Sequence, residues 1–230
     1  MKRGIKMDNN KNIGLLSLHW MNNYGTILQT FALQKAIKNE GYYSEYICYL
    51  PKNRIAKKSI VNIFIDEFPS SLRRVIPFIK NRLTEYRIKT VSRKIENRNY
   101  LFEKFRKKYI KVGEKIYLTE EELNINPPKY DIYITGSDQI WNPNLSYSNE
   151  AFMLKFIKEN SRKNAYASSI GIVNITNFYK KTLYENLKDF NLLSCREATG
   201  VRILEEILSR KVMEVVDPTM LLCIDDFYEI

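Results

Sequence analysis

The sequence predicts an α/β fold, a doubly wound and mostly parallel sheet that a basic helical insertion interrupts. Three observations predict it. The chain opens on a strand, a helix and a second strand; strands and helices alternate again from about residue 116; and the charge excess lies between the two regions. Of 230 residues, 37 are basic and 26 acidic, for a net +11. Residues 51–115 carry 19 basic and 6 acidic side chains against 18 and 20 in the remainder, so the basicity belongs to one stretch. Residues 1–50 and 116–230 are therefore expected to form one domain around an insertion at 51–115.

The apolar run from Asn12 to Leu18 reads as a buried strand. The polar turn from His19 to Gly25 leads into a helix from about Thr26 to Glu40, closed by Gly41, and Tyr43 to Leu50 forms a second strand. Strand, crossover helix and strand make the unit of a parallel sheet. In the insertion, Ile88, Val91, Ile95, Phe102, Phe105 and Tyr109 recur at three- and four-residue spacing, as on one face of a long amphipathic helix. Arg87, Lys94, Arg98, Lys104, Lys107 and Lys108 fall largely on its other faces. A solvated surface, a patch for acidic lipid or lipid-linked anions, and a nucleic-acid surface all fit such a helix. Charge runs are usually solvated faces and no nucleic-acid motif accompanies this one, so a solvated surface is the first reading, peripheral contact with a membrane is the alternative, and nucleic acid is not an expected partner.

Beyond the insertion, Thr119 and Glu122 have capping-box spacing before a short helix that Pro127-Pro128 ends. Strands follow at Tyr130 to Thr135, Asn164 to Ser168, Leu192 to Cys195 and Val212 to Val216, with helices at Thr176 to Phe190 and Glu197 to Ser209.

Several chemistries are excluded. Cys48, Cys195 and Cys223 are odd in number and widely separated, which fits a reducing cytoplasm and neither a disulfide framework nor a cysteine zinc site. His19 is the only histidine, so no site built on two histidines exists, and a Ser-His-Asp triad would have to use it without a GxSxG elbow. GxGxxG and GxxxxGK[ST] are both absent. No cofactor and no metal are expected. No segment reaches the roughly 20 apolar residues of a membrane-spanning helix.

Polar and small residues cluster after the carboxyl ends of the predicted strands, where open α/β sheets bind ligands. In the first cluster, His19 to Gly25, Asn23, Tyr24, Gly25 and Gln29 lie at a helix start suited to an anion; a tight turn with Gly25 at positive φ reads equally well. The second runs Gly136-Ser137-Asp138-Gln139-Ile140-Trp141-Asn142. Carboxylate and amide groups beside an aromatic ring suit a sugar, whereas an Asx turn with Trp141 in the core is the structural alternative. The third is Ser168 to Gly171. In the fourth, Ser194 to Glu197, Arg196 either clamps a carboxylate or phosphate or pairs with Glu197 or Asp217 to hold the loops. The last, Asp217 to Thr219, reads mainly as a structural turn.

These residues carry a resemblance. Asn23-Tyr24-Gly25 with Leu28-Gln29, Phe105-Arg106, Gly136-Ser137-Asp138-Gln139-Ile140-Trp141-Asn142, Ser168-Ser169-Ile170-Gly171, Ser194-Cys195-Arg196-Glu197 and Asp217-Pro218-Thr219 occur in the order found in the polysaccharide pyruvyl transferase family. The resemblance implies a Rossmann-like half of a GT-B-like fold. It also implies transfer of a pyruvyl group from phosphoenolpyruvate to a sugar hydroxyl pair, as a ketal, in bacterial surface-polysaccharide assembly. By this resemblance Asp138 is the expected base, Arg196 and the amides after Gly25 take anions, and His19 is a candidate proton donor. Gln139, Trp141 and Asn142 are expected at the sugar, with Asn23, Tyr24, Gly25, Gln29, Gly136, Ser137, Ser168, Ser169 and Glu197 also lining the site. Phosphoenolpyruvate and a glycan or lipid-linked sugar are the expected partners. Family members continue past the Asp-Pro-Thr motif into a second half, so the chain is expected to be an amino-terminal half, inactive alone or dependent on a second polypeptide. A glycan-binding module without chemistry and half of a GT-B-like glycosyltransferase are the alternatives.

Overall fold

The computed structural model describes residues 11–51, 80–228 and 230, with the backbone alone for 80–93. The basic residues Lys2, Arg3 and Lys6, positions 52–79 of the insertion and the side chains of Arg87, Ile88 and Val91 lie outside the described set. The chain divides into two compact units, Met1–Arg54 with Arg106–Ile230, and Ile55–Phe105.

Among the described residues, seven strands form one sheet whose pairings are all parallel: β1 (Asn12–Leu16), β2 (Tyr43–Tyr49), β3 (Val112–Tyr117), β4 (Ile132–Thr135), β5 (Lys163–Ser168), β6 (Leu192–Cys195) and β7 (Met213–Glu214). Their spatial order is β3-β2-β1-β4-β5-β6-β7. The chain winds outward from β1 in one direction and from β4 in the other, so the strand order reverses between these two. The helices are α1 (Tyr24–Asn39), α2 (Lys80–Tyr109), α3 (Glu120–Ile125), α4 (Asn177–Leu187), α5 (Ala198–Leu208) and α6 (Ile224–Tyr228).

The central strands are apolar because both faces are covered. Ile13 through Leu18 are all buried, as are Ile47, Tyr49 and Leu193. Trp141, Phe152 and Met153 complete one core cluster with Leu183 and Leu187 of α4 and Leu204 of α5. Gly14 is required where β1 passes under Tyr130, since a Cβ there would stand 2.3 Å from that ring.

Several boundaries move. β1 ends at Leu16, two residues early, and β7 holds only Met213–Glu214 of the stretch predicted to Val216. α1 begins at Tyr24 because Asn23 is its N-cap, its Oδ1 accepting from Thr26 N at 3.2 Å. Gly25 therefore sits inside the first helical turn rather than at positive φ. Thr119 Oγ1 caps α3 by accepting from Glu122 N, while Glu122 returns a carboxylate to Leu118 N, one residue before the expected donor. β3 begins at Val112, inside the stretch assigned to the insertion.

Candidate active site

The loops after β1, β4, β5, β6 and β7 all leave the same edge of the sheet, because every strand runs in one direction. α1 starts at the switch point beside β4. Thr26 and Gln29 are three residues apart and so share the face of α1 turned to the β4 loop. Thr26 Oγ1 donates to Asp138 Oδ2 at 2.5 Å, and the other carboxylate oxygen accepts from Gln139 N at 2.8 Å. Asp138 occupies the left-handed region at φ 76°, which aspartate tolerates better than most residues. Gly136 sits at φ 124°, and a Cβ there would meet the Tyr166 carbonyl oxygen at 2.0 Å, so only glycine fits.

A second chain of bonds ties α1 to the loops after β4, β6 and β7. Ser137 Oγ donates to Gln29 Oε1 at 3.0 Å, and Gln29 Nε2 donates to Asp217 Oδ2 at 2.5 Å. Arg196 Nη1 donates to the same Asp217 oxygen at 3.0 Å. Asp217 Oδ1 accepts from both the amide and the hydroxyl of Thr219. The Arg196 guanidinium makes this single side-chain hydrogen bond among the described residues and about a quarter of the side chain is exposed, so most of its donors remain available to an anion. Asp217, read from sequence as a structural turn, is thus the junction between α1 and the β6 and β7 loops. Thr26 is the other residue the sequence reading missed; its position one helical turn before Gln29 is the signal that points to it.

Glu197 closes the β5 loop. Its Oε1 accepts from Ser169 Oγ and Ile170 N, both at 3.0 Å, and from Gly171 N at 3.4 Å. Ser168 is buried and donates to the Thr135 carbonyl. Ser168, Ser169 and Glu197 therefore spend their polar groups on the loops that form the edge.

Three expected roles are corrected. Trp141 is 0% exposed and its Nε1 donates to the Phe152 carbonyl at 3.2 Å, so its ring belongs to the core and offers no face to a sugar. Asn142 is also buried: Nδ2 donates to Gln139 Oε1 and Oδ1 accepts from Asn144 N, an Asx turn. His19 is 3% exposed, stacks on Tyr46 and holds the Ser17 carbonyl at 3.4 Å. Burial, against that hydrogen bond and with help from the Arg106 charge, pushes its pKa down to about 4. A buried, neutral imidazole is no proton donor at neutral pH. The amides after Gly25 are also spoken for, Thr26 N by the Asn23 side chain and Ile27 N by the Asn23 carbonyl.

Asn23, Tyr24 and Gly25 are exposed at the rim, and Asp138, Gln139, Arg196 and Asp217 are half-buried along the edge. Tyr147 belongs to the same neighbourhood: burial and then the Asp138 carboxylate push its phenol up to about 12, and its ring meets Trp20 edge-on. Arg106, at the end of α2, donates to the Met21 carbonyl and to Asn22 Oδ1, fixing the β1 loop. Among the described residues, no group of three histidine, cysteine or acidic side chains is placed to hold a metal ion.

A family model described as polysaccharide pyruvyl transferase matches residues 23–230. No curated protein and no solved structure matches the chain.

Proposed function

Because the chain belongs to the polysaccharide pyruvyl transferase family, we propose that its sheet edge binds phosphoenolpyruvate beside a pair of glycan hydroxyls and forms a pyruvyl ketal between them. One proton adds to the methylene carbon, and the first hydroxyl oxygen bonds to the neighbouring carbon as its proton leaves. The second hydroxyl then displaces the phosphate, so the products are ketal and inorganic phosphate. Such a reaction asks for a cation facing two anionic groups and for a base at the hydroxyl.

The observation that carries the reading is that Arg196 and Asp138 stand at the same sheet edge, on the β6 and β4 loops that flank the β5 loop. Arg196 commits one donor to Asp217 and keeps the rest for a carboxylate or phosphate. Asp138 is held by Thr26 and its own backbone turn while half-exposed, as a group receiving a proton from an acceptor hydroxyl must be.

A second reading has its own observation. Asp217 already neutralises Arg196 and joins it to Gln29, as in a module whose polar edge holds loops and binds glycan without chemistry.

Phosphate release and the pyruvyl mass gain on glycan acceptors separate the two. The catalytic reading predicts phosphate and ketal in equal amounts, with Asp138→Asn slowing turnover by about 10²-fold or more. Asparagine tolerates the same backbone region, so this variant keeps the loop. Saturable glycan binding by the folded protein with neither phosphoenolpyruvate binding nor phosphate release establishes the second reading instead.

A further inference from the structure

The most strongly charged element is α2, a 30-residue helix about 45 Å long. Its sequence holds eleven basic and three acidic residues. Over its described side chains the charges are sorted around the helix. At about 100° per residue, Lys107, Tyr100, Lys104, Asn97, Lys108, Leu101, Lys94, Phe105 and Arg98 follow one another around roughly half the circumference. That arc holds no acid, and all of it is exposed except Phe105, which is half-buried. Glu96 and Glu103 sit together just past the Lys107 end of the arc, and the buried Phe102 lies just past its Arg98 end. Among the described residues, none of Lys94, Arg98, Lys104 and Lys107 has an acidic partner within ion-pair distance.

Two exposed apolar residues interrupt this basic arc, Tyr100 near its Lys107 end at 66% and Leu101 between Lys108 and Lys94 at 61% exposure. A helix that only needed solvation would gain nothing by presenting them to water among unpaired cations. A helix lying in a headgroup layer gains from both, since cations meet lipid phosphates while Leu and Tyr enter the acyl boundary and the interfacial belt. A nucleic-acid surface would use the cations and leave the leucine without a partner.

We propose that the Lys94–Lys107 face of α2 docks on an anionic lipid surface, the cations providing attraction and Tyr100 with Leu101 providing insertion. The contact is peripheral, because no helix among the described residues is long and apolar enough to cross a membrane. The proposal stands independently of the reaction at the sheet edge.

Sedimentation of the full chain with phosphatidylcholine vesicles, with and without about 30 mol % phosphatidylglycerol, tests it. Binding is expected only to the anionic vesicles and is expected to weaken steeply as salt is raised. Replacing Lys94, Arg98, Lys104 and Lys107 by Gln should reduce it about tenfold or more. Tyr100→Ser with Leu101→Ser, which leaves every charge in place, should reduce it about threefold or more. Binding unchanged by either set of substitutions overturns the proposal, as does equal binding to neutral vesicles. Tighter binding to duplex DNA than to the anionic vesicles, indifferent to the Tyr100 and Leu101 changes, overturns it in favour of a nucleic-acid surface.

Discussion

Burial that holds His19 neutral in the fold makes stability depend on pH through one residue. With its pKa pushed from 6.5 to about 4, the folded state resists a proton that the unfolded chain accepts. The contribution is intact above pH 6.5, is lost as pH falls from there, and is fully lost below about 4. Over that window it amounts to about 3 kcal/mol. Urea titrations across this range should show the loss in the native protein, and His19→Gln should remove that component of the slope. A slope unchanged in the variant would place the acid sensitivity elsewhere. Trp141 makes a complementary case. With no exposed surface, Trp141→Ala should cost about 3–5 kcal/mol in urea unfolding. In a Trp141→Phe protein that remains folded, glycan affinity should be unchanged, because the ring faces the core. Neither assignment was legible from residue type. A histidine and a tryptophan in a polar loop have the same spelling whether they face ligand or core, and only the packing of Tyr46 against one and Phe152 against the other decides.

At the scale of elements, legibility followed how strongly a segment declares itself. Leu192–Cys195 was read to the residue because a short apolar run there is bounded by polar turns. β3 was missed because Val-Gly-Glu-Lys-Ile-Tyr carries a glycine and two charges, residues that strands disfavour. It forms by pairing with β2, Cys48 opposite Ile116 and Tyr49 opposite Tyr117, a contact between residues far apart in the chain. The loops show the same division. Their positions followed from the strand ends, but the bonds between them did not, since nothing in Glu197 itself announces that it will hold Ser169, Ile170 and Gly171. That clamp is testable. Glu197→Ala orphans three donors and should cost about 2–3 kcal/mol, whereas Glu197→Gln, which keeps an accepting oxygen, should cost about 1 kcal/mol. Hydrogen exchange should report the difference locally, with the Ile170 and Gly171 amides losing protection in the alanine variant. Equal protection in both variants would mean that the β5 loop is held by other contacts.

For the whole molecule, the all-parallel order β3-β2-β1-β4-β5-β6-β7 accounts for why residues scattered from Thr26 to Asp217 meet at one edge. The reversal between β1 and β4 opens that edge at α1, and the network from Ser137 through Gln29 and Asp217 to Arg196 spans it. The doubly wound fold and the edge were legible because both depend on the strand-helix alternation; the junction at Asp217 was not, because it depends on a side chain of β7's loop reaching back to α1. Calorimetric titration of phosphoenolpyruvate into the protein asks whether this edge accepts an anion. Saturable binding is expected, weakened about tenfold or more in Arg196→Ala and weakened also in Arg196→Lys, which keeps the charge but loses the guanidinium fork. No binding by the native protein, or undiminished binding by a folded Arg196→Ala variant, would contradict it.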